Sequence, residues 1–143
     1  MPERVFADTN LFLRYLTNDV PAQADAVEAL LKRAKRGEIS LVTNALVMAE
    51  IVWTLESFYK LQKAEIRDKV LAILNTSGVE ITDSDLVLQA VTWYADKNVD
   101  YIDAYNAAWM PGQGLAVAYT FDQRHFSRFE GIKVAVPTSV YVE

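Results

Sequence analysis

Short apolar runs alternate with stretches of helical period along this chain, and the alternation predicts its elements. Arg4–Ala7 reads as a buried strand. A helix follows through Leu11, Phe12, Tyr15 and Leu16, ending near Asn18-Asp19 before Pro21. Ala26, Val27, Leu30, Leu31 and Ala34 make the apolar face of a second helix that Gly37 stops, with Glu28 and Lys32 paired on its far side. Ile39–Val42 is a strand. Ala45–Tyr59 is apolar nearly all round, which predicts a buried helix. Ile66, Val70, Ile73 and Leu74 point inward from the next helix, which ends at Asn75-Thr76-Ser77-Gly78, and Val79–Ile81 is a third strand. Asp83 caps a helix striped by Leu86, Val87, Ala90, Val91 and Tyr94. Another helix opens near Tyr101 and ends at Pro111-Gly112. Leu115–Thr120 and Ile132–Val136 are the last strands, with a short turn or helix around Gln123–Phe126 between them.

Strands that alternate with helices imply a parallel sheet covered on both faces, the α/β class. With 143 residues, the chain suits one domain, 1–143, at roughly 100–200 residues per domain. Its 52% hydrophobic and 23% charged residues exclude a disordered chain, and five Gly and four Pro leave no room for a flexible linker. The absence of Cys removes disulfides, thiolate zinc sites and cysteine nucleophiles together, and no apolar run suggests a secretory leader or a membrane span. A cytoplasmic protein without a membrane partner is expected. The formal charge of −5 argues against nonspecific coating of nucleic acid. It does not exclude a nuclease, because carboxylates that hold a metal count as negative charge. Metal-free ribonuclease chemistry commonly uses two imidazoles, and a single histidine, His125, closes that route.

Parallel sheets bind ligands beyond the carboxyl ends of their strands, and two acids lie there. Asp8 follows the first strand and Asp122 follows a later one; each also suits a helix cap. Glu50 is the only ionisable residue between Asn44 and Leu55, on a face shared with Leu46, Val47, Trp53 and Thr54. A buried carboxylate is costly without a partner; an Arg, escape to solvent or a metal would each serve. Asp100 and Asp103 have capping-box spacing. Asp100 suits the cap, which frees Asp103 to project from the positive end of the helix dipole. An all-oxygen set suits Mg²⁺ or Mn²⁺ rather than zinc, and such ions serve phosphoryl chemistry. Trp53, Trp93 and Trp109 are expected in the core rather than as base-stacking platforms.

Phe6-Ala7-Asp8-Thr9-Asn10, Glu50 in its helix, Asp103-Ala104 opening a helix, and Tyr119-Thr120-Phe121-Asp122-Gln123-Arg124-His125-Phe126 together resemble the signature of the PIN domain. Their order and spacing are most similar to the VapC-type toxins of toxin–antitoxin pairs, over essentially the whole chain. The resemblance implies a three-layer α/β/α fold with a central parallel sheet of four to five strands. It further implies an endoribonuclease dependent on Mg²⁺ or Mn²⁺, a cognate antitoxin partner and a homodimer. Asp8, Glu50, Asp103 and Asp122 take its catalytic metal positions. Thr9, Asn10 and Thr120 would orient those groups or a water, with turn and cap chemistry as their alternative. Pro111 departs from the family pattern and should end or kink the helix that carries Asp103.

Cleavage would proceed by in-line attack of water on phosphorus, leaving 5′-phosphate and 3′-hydroxyl ends, with Glu50 as a further ligand or as acceptor from the water. Arg14, Arg124, Arg128 and Lys133 lie near the motifs and are candidates for RNA phosphates; ordinary surface charge is their alternative. A dehalogenase-like site would want an Asp where Asn10 stands, and a receiver-like site a Lys where Asp122 stands. A PIN-like RNA-processing or RNA-binding module without a toxin role is the remaining rival, although such an idle module would be expected to have lost some of the four acids.

Overall fold

The computed structural model describes residues 2–121 and 123–138. Strands β1 (Glu3–Phe6), β2 (Ile39–Thr43), β3 (Val79–Ile81), β4 (Val117–Tyr119) and β5 (Lys133–Ala135) alternate with seven helices among these residues. The helices are α1 (Thr9–Thr17), α2 (Pro21–Lys35), α3 (Ala45–Ser57), α4 (Lys63–Leu74), α5 (Ser84–Asp96), α6 (Tyr101–Trp109) and α7 (Gln123–Phe126). Every pairing is parallel, and the hydrogen bonding divides the strands into a set ordered β1-β2-β3 and a pair β4-β5. The chain falls into two compact units, residues 1–88 and 89–143. Among the described residues, no helix is long and apolar enough to cross a membrane.

In the first unit, parallel pairing forces each return across the sheet through helices. Chain passes from β1 through α1 and α2 to β2, and then through α3 and α4 to β3. Val5 lies opposite Leu41, and Leu41 opposite Val79. Helix α1 packs on α2 and α3, and α3 packs on α4. The core gathers Phe12, Leu13, Val27, Leu41, Met48, Ile51, Leu55, Ile66 and Val70. Gly37 ends α2 as the sequence predicts: with φ +80 it turns the chain so that Glu38 N–H reaches Arg33 O and Gly37 N–H reaches Ala34 O, both at 3.0 Å.

Helix α3 departs from expectation. One face, Val47, Met48, Ile51, Val52 and Leu55, is buried, while Leu46 is 81% exposed, Trp53 67% exposed, and Glu50 lies on that same open side. The expectation of a helix buried all round is therefore corrected. Its neighbours in this unit cover a single face, and a helix with one charge in its middle gives no polar stripe to reveal which face that is. The expectation that the tryptophans are core is corrected in the same way for Trp53 and for the exposed Trp109.

In the second unit, Val91, Tyr94, Val99, Tyr101, Ala104, Ala107 and Phe129 are buried. Tyr94 and Tyr101 meet edge to face with centroids 6.0 Å apart, and Trp93 packs on Phe129 at 5.0 Å. Helix α6 stops at Trp109, and a short 3₁₀ turn, Pro111–Gln113, follows. This is the early ending that Pro111 predicts.

Gly78 is a position where only glycine fits. Its φ is +86, its carbonyl accepts Leu41 N–H at 2.9 Å, and a Cβ there would stand 2.4 Å from Ala34 O. Left-handed strain and backbone overlap add, so Gly78→Ala is expected to destabilise the protein by about 2–4 kcal/mol, read from urea unfolding. A variant within experimental error of the parent would contradict this packing.

Candidate functional site

The carboxyl ends of β1 and β2 position the first pair of acids. Ala7 N–H donates to Val42 O at 2.9 Å and carries the ladder one residue past β1, so the chain leaves the sheet at Asp8. Asp8, in extended conformation, caps α1 and accepts Thr9 N–H at 2.8 Å. Helix α3 starts directly beyond β2, where Asn44 Oδ1 accepts Val47 N–H at 3.0 Å. Glu50 lies about one and a half turns into that helix. It therefore stays near the sheet edge from which Asp8 emerges. Thr9 joins the two acids: only 4% exposed, it donates its hydroxyl to Glu50 Oε1 and its amide to Asp8. Among the described residues neither carboxylate pairs with a Lys or Arg. The buried carboxylate foreseen at Glu50 is thus a correction in environment, since Glu50 is exposed and its neighbour Thr9 is the buried member.

The second unit holds another pair. Asp100 Oδ2 accepts Asp103 N–H at 3.2 Å, the capping role predicted for it, and Asp103 lies in the first turn of α6. His125, on α7, brings Nδ1 to 3.2 Å from Asp103 Oδ2 and to 3.2 Å from Asp100 N. The sequence places His125 in the motif over residues 119–126 and, as the single histidine, excludes two-imidazole chemistry, but it carries no sign of this contact. A histidine three residues beyond a motif aspartate was the available signal, but its partner is fixed by the packing of α6 on α7. Tyr101, next in the chain to the cap, is buried, and burial pushes its phenol above the ordinary 10.0, so it brings no charge beside these acids.

Asp122 lies outside the described residues. Asn10 is exposed on α1, and Thr120 is half-buried, its N–H donating to Ala135 O at 2.9 Å just past β4. Arg14 forms an ion pair with Asp19 at 3.5 Å and donates Nε–H to Gln23 Oε1 at 2.8 Å. Arg128 donates to Lys97 O at 2.8 Å and Asn98 O at 2.7 Å, holding carbonyls just past α5. Arg124 and Lys133 are exposed. Among the described residues no group of three or more Asp, Glu or His gathers at one point. The structure ties Asp8 and Glu50 to one threonine and brings Asp103 to His125.

A family model described as PIN domain matches residues 5–132. Among solved structures, the chain is similar to VapBC2 from Rickettsia felis bound to a DNA fragment from their promoter. That match has 14% identity and a TM-score of 0.38, and covers 94% of this chain and 99% of that chain. None of the curated proteins matches.

Removing the Thr9 hydroxyl while keeping its shape, as Thr9→Val, should cost about 1 kcal/mol of stability in urea unfolding. The same change should weaken Mn²⁺ binding, since Glu50 loses its tether; unchanged Mn²⁺ affinity would separate Thr9 from the acids. A pH prediction attaches to Asp19. The Tyr59 hydroxyl, donating at 2.5 Å, is the main cause that holds this carboxyl below its ordinary 3.8; slight desolvation opposes, while Thr17 and Arg14 assist. A lowered folded pKa stabilises the protein above the unfolded value, and that contribution disappears as pH falls through the folded value. Tyr59→Phe should raise the Asp19 pKa, followed by NMR of the carboxyl carbon. Parent and variant should differ in stability at neutral pH and converge in acid.

Proposed function

The chain belongs to the PIN domain family, matched over residues 5–132, and from that premise we propose that it is a divalent-metal-dependent endoribonuclease, the toxin of a toxin–antitoxin pair. PIN domains are generally nucleases that use divalent metal ions. The observation that supports the reading most directly is the Asp8–Thr9–Glu50 arrangement: two carboxylates drawn to one buried threonine, without a Lys or Arg partner among the described residues. Two carboxylates tied to one threonine present oxygen donors that a cation can join. The donors fit a hard cation, being carboxylate oxygens in a chain with no Cys.

In this reading Asp8, Glu50, Asp103 and Asp122 hold Mg²⁺ or Mn²⁺, within a single domain spanning 1–143. When bound, the ion supplies positive charge that polarises a phosphodiester and favours ionisation of water. Thr9 holds Glu50 through its hydroxyl. Glu50 is a further ligand or accepts a proton from the attacking water, whose oxygen bonds to phosphorus as the bond to the 3′-oxygen breaks, and solvent protonates the leaving 3′-oxygen. The products carry 5′-phosphate and 3′-hydroxyl ends. Asn10 and Thr120 orient the water or the acids, and Arg14 and Arg124 face RNA phosphates, Arg14 after exchanging its intramolecular partners. An antitoxin, a second copy of the chain and a cytoplasmic setting belong to the same reading.

The test is cleavage of a mixed cellular RNA pool with Mg²⁺, Mn²⁺ or EDTA, beside Asp103→Asn. Metal-dependent cleavage that falls at least about 100-fold in the variant is the expected result. No cleavage by the parent, with no metal-dependent rise in Tm, would overturn the nuclease reading and favour an RNA-binding module.

A further inference from the structure

We propose that His125 is a positioning residue for Asp103, donating Nδ1–H to Asp103 Oδ2 and so fixing the orientation in which this carboxylate meets a divalent ion. The inference rests on the metal-site reading above and extends it to a residue outside the acidic set. His125 and Asp103 have side chains only 19% and 23% exposed, so the contact is shielded from the water and salt that weaken surface pairs.

The protonation of Nδ1 follows from what surrounds it. An imidazole nitrogen has one direction in the ring plane, filled by a proton or by a lone pair. Asp103 Oδ2 and Asp100 N–H both approach Nδ1 to 3.2 Å. A bare Nδ1 would accept the amide while setting its lone pair against a carboxylate oxygen. A protonated Nδ1 gives Asp103 a charge-assisted hydrogen bond, roughly twice as strong as a neutral one. It releases only the Asp100 amide, and Asp100 is exposed to water that takes its place. The second arrangement prevails.

Asp103 is then oriented twice. Asp100 holds its backbone at the helix start, and His125 contacts its carboxylate, restricting the broad terminal torsion about which a carboxylate turns. Hydrogen bonds that restrain a ligating carboxylate before the ion arrives raise metal affinity.

Because His125 is the chain's single histidine, its tautomer can be read without assignment from long-range ¹H–¹⁵N correlations of the metal-free protein. An Nδ1–H imidazole is expected; an imidazole protonated only at Nε2 would overturn the proposal. Mn²⁺ affinity, followed by the EPR signal of free Mn²⁺, supplies the second readout, with folding of each variant checked by its Tm. His125→Leu removes the donor, and His125→Gln moves it toward the Nε2 position; both should bind Mn²⁺ about tenfold more weakly. His125→Asn keeps an amide donor at the Nδ1 position and should retain the parental affinity. Parental affinity in His125→Leu, or an Asn variant as weak as the Leu variant, would overturn the positioning role while leaving the metal site intact. A parent that binds no Mn²⁺ would overturn the metal-site reading itself, and the positioning role with it.

Discussion

The two hydrogen bonds donated by Thr9 are the constraint on which the first half of the site depends. Its amide goes to Asp8 and its hydroxyl to Glu50, and its side chain is buried where neither bond is easily traded for water. A buried hydroxyl left without an acceptor is costly, so the bond that satisfies Thr9 also fixes Glu50. The stability of the fold and the placement of an otherwise exposed acid are served by the same atoms. This coupling needs the parallel sheet, because only parallel strands deliver β1 and β2 to the same edge, where α1 and α3 begin.

Most of the fold was legible because its boundaries are written in residues with narrow conformational ranges. Pro21 opens α2, Gly37 closes it, Gly78 turns into β3, and Pro111 follows the end of α6. Apolar runs overstate the strand lengths. Leu115–Thr120 shortens to Val117–Tyr119 and Ile132–Val136 to Lys133–Ala135, since an apolar run continues past the residues that find a paired neighbour. The covered side of α3 was illegible for a related reason. Apolar residues on two faces look alike in one dimension, and packing against elements such as α1 and α4 decides that Met48 is inside while Trp53 is outside.

The candidate site was legible in its residues but not in its pairings. Asp8, Thr9, Glu50 and Asp103 could be selected from their places after strands and at helix starts. That Thr9 reaches Glu50, or His125 reaches Asp103, depends on how helices pack, which carries no local signature. The cations show the converse. Nearness in sequence to a motif marked Arg14 and Arg128, yet one is engaged by Asp19 and Gln23 and the other by carbonyls beyond α5. Guanidinium groups offer five donors, so they are readily recruited to local polar groups.

Asp100 and Asp103 show how two like residues, three positions apart, acquire different work. At the cap, Asp100 uses its carboxylate on the backbone and gains from the helix dipole simply by standing at its positive end. One turn inside, Asp103 has its amide already satisfied by Asp100, so its carboxylate is not needed for the helix and faces His125. Asp8 differs, because it carries both tasks at once, with one oxygen on Thr9 N–H and its position at the end of β1. The division follows from geometry alone: an acid at a helix start is committed to the cap unless another acid, one turn earlier, has taken that role.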